Sequence, residues 1–379
     1  MKKPLLFTLA FMISGVCFSQ IILPPSGANQ KSIVKQYMGA HAYVKVVYNS
    51  PDVTGPRGED RSGQIWGQLV PYGLSNLNFG ISTDENPSPW RAGANENTVI
   101  HFSHDVLIEG QALKSGTYGL HMIPRENEKW TVIFSKNNSA WGSYFYRPEE
   151  DALRVDVQPY ETHYTEWLTF EFTDRQENAC KLEMKWDNLS VPIGIALENP
   201  TEIYLSHIRE QMQSSTGFNW VNRNNAANYC MQNDVNLEEA YEWQKVTVSN
   251  PFMGSENITT LQTLAMLELK LNMEEEASAT LEKAVNHPTC GVFQAHQLGR
   301  QLIALNKADL ALDVFKMNLE RNGDVWPVNV GLARGYSATG DYTKAIEHAT
   351  KALERAPDQV NKDNLTRSIA MLKEGKDIN

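Results

Sequence analysis

The strongest constraint on this chain is a change of hydrophobic period near Asn199-Pro200. From about Ile33 to Leu197 the period is two. In Ala152-Leu153-Arg154-Val155-Asp156-Val157-Gln158 the odd positions are apolar, and in Lys181-Leu182-Glu183-Met184-Lys185-Trp186 the even ones are. Each segment has one wet and one dry face, which is the pattern of half-buried antiparallel strands. Leu168, Phe170 and Phe172 share one side of Glu166–Phe172, and Trp130-Thr131-Val132-Ile133-Phe134 is apolar on both sides, as a central strand requires. Pro51, Gly55-Pro56, Gly73, Asn86-Pro87-Ser88-Pro89, Gly110, Gly116, Asn137-Asn138, Pro148 and Pro159 break the run at short intervals. Eight or more short strands with no helical pattern among them predict a β-sandwich or jelly-roll-like domain. Beyond the boundary at Glu198–Thr201, Tyr204, Leu205, Ile208 and Met212 mark one face of a helix, and the helical period continues to the end of the sequence.

The helical part repeats itself. Leu264, Leu298 and Leu332 lie 34 residues apart, as do Ala265, Gly299 and Ala333, and Ala277, Ala311 and Ala345. Leu281, Phe315 and Ala349 keep the register with varied size. A Leu-small pair followed by a small residue thirteen positions on, at period 34, is the pattern of tetratricopeptide repeats, in which stacked helix pairs bury a continuous core. Gly340-Asp341 turns the chain between the two helices of the last copy, an off-period copy runs from Ala226 through Trp243, and Asp358–Lys373 reads as a polar capping helix. The fold class expected is therefore multidomain α+β: an all-β sandwich or jelly-roll-like domain at 20–199, then an all-α tetratricopeptide-like solenoid at 200–379.

Residues 1–19 read as an address. Lys2 and Lys3 precede an apolar run from Leu5 to Val16 that is too short to span a bilayer, and small residues follow before Gln20, the order of a secretory signal peptide cleaved after Ser19. Val16 stands where a lipoprotein signal before Cys17 wants a small residue, so lipid anchoring is not expected, and no later stretch is apolar enough to span a membrane. The expected location is the periplasm or exterior of a bacterium. With 34 Lys+Arg against 45 Asp+Glu the net charge is -11, or -11 - 2 = -13 without Lys2 and Lys3. That balance excludes nucleic acid as a partner, because nucleic-acid binding needs a cationic footprint. The mature chain keeps Cys180, Cys230 and Cys290, an odd number with no CxxC pair; Cys230–Cys290 is the candidate bridge, against three buried thiols.

Along the β region run Arg61, Ile65-Trp66-Gly67-Gln68-Leu69-Val70-Pro71-Tyr72-Gly73, Trp90-Arg91-Ala92-Gly93-Ala94-Asn95-Glu96-Asn97-Thr98, Ala112–Leu120, Trp130–Phe134, Trp141-Gly142-Ser143-Tyr144 and Asp151-Ala152-Leu153-Arg154-Val155. From about Gln30 to Ile195 this series resembles the domain-of-unknown-function family 2911. The resemblance implies an all-β domain in an exported protein, often followed by tetratricopeptide-like repeats, and it carries no activity. Between Gly73 and Trp90 the chain has Leu74–Pro89, longer than the usual connection of that family.

The candidate ligand site is Trp90, Arg91, Asn95, Glu96, His121 and Trp141: two indoles as stacking walls for a planar or sugar-like molecule, and a guanidinium, amide and carboxylate as directional contacts. The bland alternative has Arg91 and Glu96 pairing with each other or with carbonyls to pin the loop. His101, His104 and His121, with Glu96 or His163, form a weaker candidate for a divalent metal, since a spacing of three in a strand sends His101 and His104 to opposite faces. No catalytic residue can be named: nucleophile elbow, P-loop, HExxH, dinucleotide fingerprint and EF-hand loop are all missing from the sequence. The function expected is a non-enzymatic binding or scaffold protein whose solenoid takes a peptide or protein partner. The alternative is a hydrolase-like or metal-dependent enzyme seated in the β domain.

Overall fold

A computed structural model describes residues 29–379. The expected export signal at 1–19, with Cys17, lies outside the described residues. The chain divides into two compact units, the first ending at Tyr204 and the second beginning at Leu205, so the division falls inside the first helix.

The described residues of the first unit hold ten strands: β1 (Gln30–Met38), β2 (Ala42–Ser50), β3 (Thr98–Phe102), β4 (Val106–Ile108), β5 (Gln111–Leu113), β6 (Gly116–Ile123), β7 (Trp130–Ser135), β8 (Asp151–Val157), β9 (Tyr160–Thr173) and β10 (Ala179–Leu197). They form a six-stranded sheet, β1-β2-β3-β6-β7-β8, and a four-stranded sheet, β5-β4-β10-β9. The sheets share one core, to which the first gives Val44, Val46, Ile100, Phe102, Leu120 and Phe134 and the second Ile108, Leu168, Phe170, Leu182, Met184 and Ile193. This is the expected sandwich. β7 is an interior strand buried on both faces: Trp130, Val132 and Phe134 enter the shared core, while Ile133 packs outward with Ile123 and Tyr146.

The alternation in β10 changes parity part-way. Leu182, Met184 and Trp186 point into the core, and beyond the irregularity it is Val191, Ile193 and Ile195 that do. The switch falls at Asp187, which is left-handed (φ 53°) and whose carboxylate accepts from the Gly63 N–H at 3.0 Å, and the register with β9 shifts on both sides of it. At each shift β9 advances four residues while β10 advances two, so the extra residues of these irregularities lie in β9.

The second unit continues α1 (Pro200–Met212) into helix pairs: α2 (Trp220–Asn233) with α3 (Leu237–Ser249), α4 (Ile258–Lys270) with α5 (Glu274–Asn286), α6 (Val292–Ala304) with α7 (Ala308–Asn322) and α8 (Trp326–Ala338) with α9 (Tyr342–Glu354). α10 (Gln359–Lys373) closes the stack, capped by the Asp358 carboxylate on the Asn361 N–H. The turn within each of the last three pairs places a left-handed residue at one repeating position: Asn272 (φ 60°), Asn306 (φ 60°) and Gly340 (φ 80°), spaced 34 and 34. Side-chain size compensates across the repeat. Phe315 of α7, 0% exposed, fills the space left by Gly299 on α6 and by Gly331 and Gly335 on α8, where added Cβ atoms would collide with its ring. Where the Phe315 position holds Leu281 or Ala349, the Gly299 position holds Ala265 or Ala333. Cys180, Cys230 and Cys290 are all free and buried, so the candidate Cys230–Cys290 bridge is not made. Cys230 and Cys290 pack in different apolar clusters, and burial pushes the Cys230 thiol up to about 11. No described helix is long and apolar enough to cross a membrane.

Candidate functional site

The β unit contains a cavity of about 530 Å³ that β10 lines with Trp186. Its apolar lining comes from Trp90 and Trp186 with Pro51, Pro56, Val70 and Pro89, and its polar lining from Asp52, Arg61, Arg91 and Asn95. Trp90 and Trp186 belong to a cluster of four indoles. Trp66 meets Trp90 (5.6 Å), Trp130 (5.0 Å) and Trp186 (5.7 Å) edge to face, and Trp90 stacks on Trp186 at 6.3 Å and 13°. Trp186 is 2% exposed and its Nε1–H has no protein partner, so an indole donor stays unpaired beside the cavity.

The loop from Trp90 to Thr98 is held by its backbone. Trp90 exchanges two hydrogen bonds of 2.8 Å with Met122 of β6, the Ala94 N–H reaches the Asn49 carbonyl (3.2 Å), and Thr98 Oγ1 donates to the Ala92 carbonyl (2.9 Å). Ala92 (φ 52°) and Asn95 (φ 57°) are left-handed, and a Cβ on Gly93 would lie 2.8 Å from Thr98 Oγ1. Arg91 donates to the Asn95 carbonyl (2.7 Å) and lies 4.8 Å from the Tyr144 ring centroid, while Glu96 accepts from Asn49 Nδ2 (2.7 Å). Arg91 therefore pins the loop through a carbonyl and leaves Glu96 out.

Of the six expected site residues, the cavity gathers Trp90, Arg91 and Asn95. Glu96 lines a separate depression with Asn49 and Asn138. Trp141 is 54% exposed and lines no part of the cavity, so the expected pair of stacking walls is not formed; Trp90 faces Trp186 instead. His121 is 2% exposed, its Nδ1 lies 2.9 Å from Ser143 Oγ, itself 1% exposed, and burial together with the nearby Arg91 charge holds its pKa down at about 4. This hydroxyl–imidazole contact is closed to a substrate. It holds the Trp141–Tyr144 loop, whose Gly142 (φ 60°) lies against the Arg91 guanidinium.

The three histidines are not brought together. His101 and His121 share the outer face of the first sheet, but Thr117 is the cross-strand partner of His101 and lies four residues from His121, about 13 Å along β6. His101 Nδ1 contacts Thr117 Oγ1 (2.9 Å), and His104, beyond the end of β3, contacts Ser103 Oγ (2.9 Å). Among the described residues no group of three His, Cys, Asp or Glu side chains is placed to hold a metal ion. The candidate set with Glu96 or His163 is likewise not assembled.

Residues 29–195 match the model of a family described as a protein of unknown function, DUF2911. The β unit carries a DUF2911 domain. Residues 328–359, spanning α8 and α9, match a tetratricopeptide-repeat model. Solved structures similar to the chain include MamA AMB-1, at 18% identity and TM-score 0.27 over 40% of this chain and 86% of that one. YrrB, titled a TPR protein with an unusual peptide-binding site, is similar at 17% identity and TM-score 0.28 over 44% and 84%. MamA 41-end from Desulfovibrio magneticus RS-1 is similar at 15% identity and TM-score 0.26 over 40% and 92%. No curated protein matches the chain. A tetratricopeptide stack is an architecture for protein–protein interaction and scaffolding.

In the DUF2911 domain, the lining residues missed by sequence reasoning are Asp52, Arg61 and Trp186, together with Leu74–Pro89. Arg61 donates to the carbonyls of Val53 (2.9 Å) and Asp52 (3.0 Å), which fixes the 52–61 loop at the cavity. The long connection closes on itself through paired backbone hydrogen bonds between Ser75 and Ser88, 2.9 Å each, and supplies Ser75, Leu77, Ser88 and Pro89 to the wall. Its tip packs Phe79 on Tyr144 at 5.1 Å. The available signal was Trp186, an indole in phase with the core residues Leu182 and Met184 of its strand.

Proposed function

We propose that this is an exported binding and scaffold protein. Its solenoid engages an extended polypeptide partner, and its DUF2911 domain holds a small molecule with a flat apolar body and an anionic or acceptor group. The observation that carries the small-molecule reading is the cavity of about 530 Å³, lined by the Trp90 and Trp186 indoles and by Arg61 and Arg91. That volume falls in the range of about 300–1,000 Å³ usual for ligand pockets. The cavity lining carries two guanidiniums, each bonded to loop carbonyls, with Arg61 also 3.8 Å from the Asp52 carboxylate, and the Trp186 Nε1–H, which has no protein partner. The leader of Lys2, Lys3 and a short apolar run supports export.

The test is a fluorescence titration of the full mature chain with 1-naphthoate and 1-naphthamide, which share a ring system and differ in charge. Saturable quenching is expected, at least about tenfold tighter for the acid, with that preference lost in Arg91→Gln. Quenching that never saturates, or an Arg91→Gln variant that still prefers the acid, sinks the proposal. Export is checked by amino-terminal sequencing of the chain from its native envelope. A mature end at Gln20 is expected, and a retained Met1 in the cytoplasmic fraction overturns it.

A further inference from the structure

The segment after α10 turns back on the solenoid. Gly375 (φ 73°) ends the helix with two closing bonds, Gly375 N–H to the Leu372 carbonyl and Lys376 N–H to the Met371 carbonyl, each 3.0 Å. This is the pattern that satisfies the last carbonyls while reversing the chain. The next three residues then lie on α8 and are held on side chains and backbone alike. Ser337 Oγ donates to the Asp377 carboxylate (2.5 Å) and accepts from the Ile378 N–H (3.1 Å). Arg334 Nη1 reaches the Ile378 carbonyl and Asn379 Oδ1, both at 3.4 Å, and Asn379 Nδ2 returns a bond to the Arg334 carbonyl (3.0 Å). Ile378 sits against an apolar cluster that includes Ala333, Ala345 and Leu372.

A short non-helical segment whose amide, carbonyl and polar side chains are engaged by one helix, with its aliphatic side chain on an apolar cluster, is held as a docked peptide is held. The helix face has a periodic neighbour. Arg300 of α6 is 334 - 300 = 34 residues before Arg334, at the same position of the preceding repeat, and close enough for its charge to be felt there. Arg300 is exposed and makes no ion pair among the described residues. One basic position of the row is thus occupied by the chain itself and the next is open.

We infer that the face of α6 and α8 carrying Arg300, Arg334 and Ser337 receives an extended acidic segment of a partner polypeptide, and that residues 377–379 are its internal competitor. This rests on the reading of the solenoid as a peptide-binding unit and adds where and what it binds. An acidic residue followed by an aliphatic one reproduces the Asp377-Ile378 contacts, and a further acidic residue reaches Arg300.

The probe is the acetylated and amidated peptide KEGKDIN, residues 373–379, followed through the backbone amide resonances of α8 in the full chain. In a released variant, D377A/N379A, the peptide is expected to give saturable shifts at Arg334 and Ser337 at least tenfold tighter than in the wild type. KEGKKIN is expected to give none, and Arg334→Gln in the released background removes the response. Equal response in wild type and released variant overturns the inference. So does loss of hydrogen-exchange protection along α8 on release, because the segment is then a clasp that the fold requires. The milder Asp377→Asn, which leaves Ile378 seated, guards against that ambiguity: it is expected to raise the peptide response part-way with α8 protection intact, and no rise also overturns the inference. An envelope polypeptide that binds both forms equally refutes the site alone and leaves the peptide-binding reading standing, whereas a solenoid that binds no polypeptide in either form refutes that reading as well.

Discussion

The solenoid and the DUF2911 domain solve the burial problem over different distances along the chain. Phe315 is enclosed by Gly299, Gly331 and Gly335, which lie 16, 16 and 20 residues away. The cavity of the DUF2911 domain joins Asp52, Trp90 and Trp186, separated by 38 and then 96 residues. A repeat stack therefore gathers its stability from neighbouring terms, one interface at a time, whereas the sandwich has one core that forms or fails as a whole. The site in each unit inherits this. The solenoid presents the same position again every 34 residues, as with Arg300 and Arg334, while the cavity occurs once and depends on several distant segments arriving together.

The largest test of this difference is to empty each core separately. Phe315→Ala is expected to cost the solenoid about 3–5 kcal/mol and to leave the β unit unmoved, with Trp130→Ala doing the reverse. Calorimetry of the two variants should show one transition shifting at a time. If both transitions move together, the two units do not unfold independently and the contrast fails.

A second test uses one buried imidazole from each unit. Burial holds the pKa of both His121 and His296 at about 4, with nearby arginine charge adding to the effect. The unfolded chain takes up these protons near pH 6.5 and the folded chain only near 4, so the unfolded state binds more protons across that window. The stabilising preference for neutral imidazole is complete above pH 6.5 and is lost as pH falls towards 4, up to about 3 kcal/mol for fully enclosed His121 and less for partly exposed His296. His121→Gln should flatten the acid limb of the β transition alone, and His296→Gln that of the solenoid alone. Denaturant midpoints at pH 7 and pH 4.5 decide it, and an unchanged slope in the matching variant counts against the assignment.

These contrasts also explain what could be read from the sequence. The repeat was legible because its contacts recur at a fixed spacing: Leu264, Leu298 and Leu332 announce it without knowledge of any distant partner. The sandwich was legible in its alternation, down to Leu168, Phe170 and Phe172 on one face. The site was legible only in part. Trp90, Arg91 and Asn95 stood in one string, but nothing local marks Asp52 or Arg61 as their neighbours, and Trp186 reads as one more core residue of β10. The switch in facing of β10 falls at the left-handed Asp187, and a single residue at positive φ is invisible to a period count. Trp141 misled for the opposite reason: a large aromatic in a family motif suggests a wall, yet its loop is anchored through Gly142 and Ser143 and leaves the indole in solvent.

The finest test concerns backbone conformation, where both units hold left-handed residues for different reasons. In the solenoid, Asn272 and Asn306 occupy the position that Gly340 fills in the last repeat. Asn tolerates this conformation and β-branched residues do not, so Asn306→Val is expected to cost about 1–2 kcal/mol and Asn306→Gly no more than about 0.5 kcal/mol. If the repeats act as a sum of similar terms, Asn272→Val should cost the same within about 0.5 kcal/mol. In the DUF2911 domain the left-handed residue is Ala92, whose methyl is fully buried. Ala92→Gly relieves a backbone cost of about 1 kcal/mol and removes a buried methyl of similar worth, so its net effect should lie within about 0.5 kcal/mol of zero. A loss above about 1.5 kcal/mol at Ala92 would mean that packing of the methyl, more than the turn it makes, fixes the loop that carries Arg91 to the cavity.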